Sequence, residues 1–160
     1  MPELQLVRPD HAPALLAFEQ ENRAYFAASV PDRGDDYFAN FAKFHRELLT
    51  WQADGANYFH VLVAEDGSIV GRVNLWEAVG GSAALGFRIA QRATGRGLAT
   101  AGVRQVIALA GGEYGLTELR AAARVENAGS RTVLTRTGFV PTGETVLSGL
   151  PGITYRLKLT

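Results

Sequence analysis

The chain has 160 residues, 47% of them apolar, with 18 Gly, 6 Pro and no Cys. Those proportions describe one soluble globular domain, residues 1–160, and exclude a disordered chain, a collagen-like fibre, a disulfide-stapled mini-protein and any cysteine-based nucleophile, zinc site or iron–sulfur cluster. The 16 bases and 16 acids cancel overall but not locally: residues 1–80 hold 12 acids and 6 bases, net −6, and residues 81–160 hold 4 acids and 10 bases, net +6.

Leu4-Gln5-Leu6-Val7 alternates apolar and polar residues and reads as a short strand ending at Arg8-Pro9. Asp10 caps a helix whose Ala14, Leu15, Leu16 and Phe18 form an apolar side up to about Glu21, and Val30-Pro31-Asp32-Arg33-Gly34 breaks the chain. Tyr37, Phe41, Phe44, Leu48 and Trp51 then recur at helical spacing, which predicts a long helix from Asp35 or Asp36 to Gly55 with that stripe in the core. Tyr58–Ala64, Ile69–Trp76 and Ala83–Ile89, separated by Glu65-Asp66-Gly67-Ser68 and Gly80-Gly81-Ser82, predict a three-stranded antiparallel meander.

After the meander the period changes. Gly97–Ala110 is a helix rich in small residues, stopped by Gly111-Gly112, and Leu119–Val125 is a strand. Asn127 caps a short helix to Thr137, and Phe139–Leu147 with Ile153–Leu159 closes the chain as a hairpin around Pro151-Gly152. The order is βααβββαβαββ. It gives an α/β (α+β) domain with a mixed, mainly antiparallel sheet flanked by helices. No window approaches 18 consecutive apolar residues and Met1–Asp10 has no leader-like apolar run, so the expectation is a cytoplasmic protein with no membrane partner.

Chemistry concentrates between Leu85 and Thr100, where a strand enters a glycine-containing loop that opens a helix. Glycines let backbone N–H groups converge, and a helix's first turn adds free amides and the positive end of its dipole, so this segment suits a phosphate or pyrophosphate. A Walker loop would need Gly-x-x-x-x-Gly-Lys-Ser/Thr, which is absent. A dinucleotide fold would place its glycines after the first strand of a βαβ unit, not after an antiparallel meander.

Arg92-Ala93-Thr94-Gly95-Arg96-Gly97 resembles the Gln/Arg-x-x-Gly-x-Gly/Ala acyl-CoA signature of the GNAT N-acyltransferase superfamily. Asn127-Ala128-Gly129-Ser130 and the ending Gly138-Phe139 resemble its Asn-x-x-Ser and Gly-Phe segments, in the expected order. The serine variant and the aromatic N-terminal helices are most similar to the RimJ/RimL-like branch of ribosomal-protein N-terminal acetyltransferases. That resemblance implies acetyl transfer from acetyl-CoA to a primary amine, with a protein N-terminus as first expectation. A small-molecule amine is the alternative acceptor, and a non-catalytic acyl-CoA sensor is the alternative from another class.

The resemblance also implies a set of roles. Arg92, Ala93, Thr94, Gly95, Arg96, Gly97, Leu98, Ala99 and Thr100 would hold the pyrophosphate, with Arg88 and Arg131 near the phosphates. Backbone groups of Phe87, Arg88 and Ile89, on a strand that splays from its neighbour, would meet the pantetheine arm, with Asn127 beside it. Leu134 stands where many relatives carry a tyrosine acid, so Ser130 becomes the candidate proton donor. Ala84 stands where many carry a strand carboxylate, which leaves Glu77 and Glu144, a water relay, or more weakly Glu19 and Glu21, to take the amine's proton. Tyr25, Phe26 and Phe38 are the candidate acceptor-pocket walls, and the acidic first half suits a cationic acceptor. His11, His45 and His60 share no ligand spacing, so no metal is expected. Direct nucleic-acid binding is disfavoured because the arginines are scattered without interleaved aromatics. The chain is expected to be a monomer or homodimer.

Overall fold

A computed structural model describes residues 1–159. Among these residues, six α-helices and seven strands alternate: β1 (Glu3–Leu6), α1 (Ala12–Glu21), α2 (Arg23–Ala27), α3 (Asp35–Ala39), α4 (Phe41–Ala53), β2 (Tyr58–Val63), β3 (Ile69–Val79), β4 (Ser82–Ile89), α5 (Leu98–Gly111), β5 (Glu118–Arg124), α6 (Ala128–Arg136), β6 (Val140–Leu147) and β7 (Leu150–Lys158). One sheet contains all strands in the order β1-β2-β3-β4-β5-β7-β6. Every neighbouring pair is antiparallel except β4 and β5. The predicted single mixed α/β architecture and the meander of β2, β3 and β4 are therefore present. None of the helices is long and apolar enough to cross a membrane.

Several details differ from the sequence expectation: α2 is an additional short helix, and His11, not Asp10, precedes α1, with no side-chain cap, because the Asp10 carboxylate is engaged by Arg8. The helix predicted from Asp35 is divided at Asn40, whose amide donates to the Asp36 carboxylate at 2.7 Å and to the Asp36 carbonyl at 3.3 Å. A side chain that competes for local backbone groups interrupts a helix in this way. Beyond the break Phe41 and His45 are the buried residues of α4, Tyr37 and Leu48 of the predicted stripe pack partly buried against the same core, and Trp51 is 53% exposed instead of lying in it. The final hairpin turns at Ser148-Gly149, not at Pro151-Gly152. Both turn residues have positive φ, 50° and 80°, which suits a two-residue hairpin turn, and Pro151 and Gly152 lie within β7.

Side-chain alternation assigns each sheet face a different cover. On β3, Val73 and Leu75 point to the side of α5, where Val103, Val106, Ala110, Leu119 and Leu134 complete a cluster that is almost wholly buried. Burying each such aliphatic side chain contributes roughly 1.5–3 kcal/mol. The opposite face of the sheet is covered over β1–β3 by α1 and α4, through Leu15, Phe18 and Phe41 against Val61 and Val70. Arg72, Asn74 and Trp76 share this face, so a polar row interrupts an otherwise apolar strand.

The only parallel ladder among the described residues is short. Ser82, Ala83 and Ala84 pair with Glu118, Leu119 and Arg120, after which β4 and β5 separate. β4 stays paired to β3 as far as Ile89, and β5 to β7 as far as Arg124. The divergence leaves the β5-facing edge of Leu85–Ile89 without a strand partner and opens the sheet next to the loop before α5.

Candidate functional site

The loop after β4 is built by glycine. Gln91–Ala93 form a single 3-10 turn, and Gly95 and Gly97 adopt φ +78° and +72°, a left-handed conformation that costs an L-residue roughly 1–2 kcal/mol. Gly97 is the N-cap of α5, so the amides of Leu98, Ala99 and Thr100 have no intrahelical acceptor and face the positive end of the helix dipole. The loop is anchored from α1 and α2. The buried Asn22 accepts the Gln91 N–H at 2.9 Å through Oδ1 and donates to the Phe18 carbonyl at 2.8 Å.

Two cavities meet at the splayed edge of β4. The first, about 550 Å³, is lined by Ala93, Thr94, Gly95, Gly97, Leu98, Ala99 and Thr100 from the loop and helix. Phe87, Arg88 and Ile89 supply its strand wall, Asn127 and Ser130 come from the start of α6, and Tyr25 and Phe26 come from α2. The second, about 830 Å³, lies against the polar sheet face and reaches Trp76, Ala84, Gly86 and Leu134. Val30, Phe87, Arg88 and Ser130 line both, which fixes the junction between them. Gly86 is required by the shape of this wall, because a Cβ there would fall 2.8 Å from the Trp76 indole.

At the junction, α6 is capped by Asn127, whose Oδ1 accepts the Ser130 N–H at 3.1 Å. Such a cap is worth about 1 kcal/mol. Asn127 performs the capping, so the Ser130 hydroxyl is not committed to that task. Leu134 is buried, with only 1% exposed, and it offers no proton donor.

Not every predicted residue converges on this site. Arg92 donates to Ser68 Oγ at 3.3 Å and lies 3.9 Å from Glu21, and both Arg92 and Arg96 are exposed beside the first cavity without lining it. Arg131 lines neither main cavity, whereas Arg136, which belongs to the same cationic second half, lines the first. Phe38 lines neither main cavity and borders a minor pocket of about 10 Å³, with the Arg23 guanidinium 4.3 Å above its ring. Glu77 sits exposed at a bulge with φ 54°, Glu144 is exposed on β6, and neither lines either main cavity.

The main electrostatic feature was barely visible in the sequence. Glu19, 1% exposed on α1, is surrounded by three guanidinium groups: Arg33 at 3.2 Å, Arg88 at 3.2 Å and Arg72 at 3.7 Å. Arg88 and Arg72 are directly opposed across β4 and β3, an arrangement of like charges that a sheet tolerates only with a counter-charge. Burial lowers the Arg88 pKa from its ordinary value, Glu19 opposes that shift, and the Phe26 ring lies 4.5 Å from its guanidinium. With both oxygens engaged by arginines, Glu19 is a structural anchor, not a free base. The second cavity is consequently cationic: five arginines and one glutamate, Glu118, line it, in contrast to the acidic acceptor face expected from the charge of the first half. The available signal was the Arg-x-Asn-x-Trp alternation inside the apolar strand Ile69–Trp76.

His60 is buried and satisfied. Its Nδ1–H donates to the Val73 carbonyl at 2.9 Å, its Nε2 accepts from the Tyr114 hydroxyl at 2.7 Å, and burial pushes its pKa down. Among the described residues no group of three or more His, Asp or Glu side chains could hold a metal ion.

The sequence profile described as "Acetyltransferase (GNAT) domain" matches residues 3–140. "Probable N-acetyltransferase YjcK" of Bacillus subtilis (strain 168) is 29% identical over 132 residues, covering 78% of this chain and 72% of that protein. Among solved structures, the ribosomal-protein-S5-alanine acetyltransferase of Vibrio fischeri superposes with a TM-score of 0.91 at 19% identity, over 97% of this chain and 91% of that one. RimJ of Mycobacterium smegmatis, in complex with CoA-disulfide, superposes with a TM-score of 0.86 at 22% identity, over 97% and 80% of the two chains.

Proposed function

This chain belongs to the GNAT acetyltransferase family, an acetyl-CoA-dependent acyltransferase, and from that premise we propose that it acetylates a primary amine, foremost the N-terminal amine of a protein or peptide. The observation that carries this reading is the meeting of the two cavities at Phe87, Arg88 and Ser130. The first cavity takes the co-substrate and the second takes the amine.

In this reading the amides from Gly95 to Thr100 hold the pyrophosphate against the α5 dipole, since the Ala93 and Thr94 N–H groups already donate to the Ala90 and Gln91 carbonyls, and the two left-handed glycines keep the approach clear. Arg136, together with Arg92 and Arg96 at the rim, adds positive charge around the phosphates. The free edge of β4 at Phe87, Arg88 and Ile89 offers backbone groups to the pantetheine amides, and a backbone N–H there polarises the thioester carbonyl. Tyr25 and Phe26 wall the cavity from α2.

The amine nitrogen attacks the thioester carbon, the C–S bond breaks, and the CoA thiolate receives the Ser130 hydroxyl proton, which is restored from solvent. The amine's proton leaves through water in the second cavity, since Glu77 and Glu144 stand outside it. Ser130→Ala is expected to lower kcat about 100-fold or more while leaving the acetyl-CoA Kd within twofold. Thiol release in steady state and calorimetric titration with acetyl-CoA read the two quantities. Unchanged kcat removes Ser130 from the chemistry, and no acetyl-CoA binding at high micromolar concentration removes the whole reading.

A further inference from the structure

We infer that the second cavity selects amines that also carry an oxyanion, a carboxylate or a phosphate, held by Arg72 with Arg33 and Arg88. The inference rests on the assignment of that cavity to the acceptor.

Three guanidiniums surround the single carboxylate of Glu19, so the group keeps a net charge of +2 in a region where Arg72 is only 2% exposed. Glu19 forms hydrogen bonds to Arg33 and Arg88, but Arg72 lies 3.7 Å away, too far for one. Arg72 Nε and Nη1 are both buried and have no hydrogen-bond partner among the described residues. A buried guanidinium with two unused donors is costly to maintain, and a native structure retains such a group where a ligand, an ion or an ordered water supplies the missing acceptor.

Arg72 lines the second cavity, as do Arg33 and Arg88. Glu118, the one acid on its wall, is already engaged by Arg156 at 3.4 Å and by the Ser82 hydroxyl at 3.0 Å, so it does not neutralise the cluster. Nη1 is the Arg72 atom that faces Glu19, and Nε lies on the other edge of the guanidinium with its donor unused, so Arg72 brings an unpaired charged donor to an oxyanion alongside the +2 charge of the cluster. Two residues along the same strand face, Asn74 Oδ1 is a buried acceptor that also lacks a partner, and Asn74 lies across from Gly86, next to the junction. The cavity thus offers an unused guanidinium donor for an oxyanion at Arg72 and one acceptor for an N–H at Asn74, nearer the reacting end. A polycation meets repulsion here.

Two measurements test this. Thiol release is compared within matched pairs: glycine and glycinamide, 4-aminobutyrate and its amide, phosphoethanolamine and ethanolamine, and the peptide amides Ala-Asp-Ala and Ala-Asn-Ala, with spermidine as the polycation. The anionic member is expected to lead by at least tenfold in kcat/KM in the pair whose length fits, because a site built to bond a group rejects the analogue lacking it. Separately, glutarate and inorganic phosphate are titrated calorimetrically into the protein with and without saturating CoA. Binding that survives CoA and weakens at least tenfold in Arg72→Met supports the inference. Arg33→Met, at a side chain 34% exposed, provides the same test should Arg72→Met fail to fold. Equal rates within every pair, a preference for spermidine, or anion binding indifferent to both substitutions overturns it. Turnover of neutral amines without anion binding refutes this inference alone. Absence of acetyl-CoA binding refutes the proposed function, and the anion titration still decides whether the subsite exists.

Discussion

Replacing Glu19 by glutamine removes one charge and almost no volume, and its cost follows from the surroundings of the carboxylate. Arg33 and Arg88 have side chains 34% and 22% exposed, so solvent screens much of their repulsion once the counter-charge is gone. Arg72 has no such relief, with a side chain only 3% exposed. Breaking a buried pair by removing one partner costs roughly 3–5 kcal/mol, and the 3.7 Å separation places this case near the lower end, about 3 kcal/mol. With a urea m-value of about 2 kcal/mol/M, the unfolding midpoint of Glu19→Gln should fall by about 1.5 M. Arg72→Met alone should cost less, because Glu19 keeps Arg33 and Arg88. The double variant should then recover part of the loss, since it no longer buries an unpaired charge. Urea unfolding followed by tryptophan fluorescence measures all four proteins. A midpoint shift below about 0.3 M (about 0.6 kcal/mol) for Glu19→Gln, or a double variant weaker than Glu19→Gln, would refute the claim that this carboxylate compensates Arg72.

Two other outcomes follow from the site and the core. Gly97→Ala forces φ +72° on a residue with a Cβ but meets no atom within 4 Å, so the fold should persist while acetyl-CoA affinity drops about tenfold; an unchanged Kd would separate the loop from the co-substrate. His60 has a folded-state pKa below its unfolded value of about 6.5, so the unfolded chain binds the extra proton. Its contribution is complete above about pH 6.5 and is lost as pH falls toward the depressed folded pKa. Thermal unfolding between pH 7.5 and 5 should therefore decline more steeply in the wild type than in His60→Gln, and parallel profiles would contradict the assignment.

The glycine loop and the Asn127 cap were legible in the sequence because each depends on local chemistry. Left-handed φ selects glycine at positions 95 and 97, and an asparagine at position 127 satisfies an amide three residues later. The meander was legible for the same reason, as alternation and turn residues are properties of adjacent positions. The break at Asn40 was overridden by the longer apolar periodicity around it, and the Pro-Gly pair at 151–152 masked the Ser-Gly turn three residues earlier.

What the sequence alone determined was the class of domain, the glycine loop that opens α5 and the family signature, all of them carried by short segments. The tertiary structure decided the character of the second cavity. Net charge by halves suggested an acidic acceptor face, but Glu19 is buried against arginines drawn from positions 33, 72 and 88, and the remaining cationic groups face the cavity. Such a cluster comes from a helix, a loop and two strands far apart in the chain. Coulomb interactions at 3–4 Å depend on spatial neighbours, and only folding brings those neighbours together.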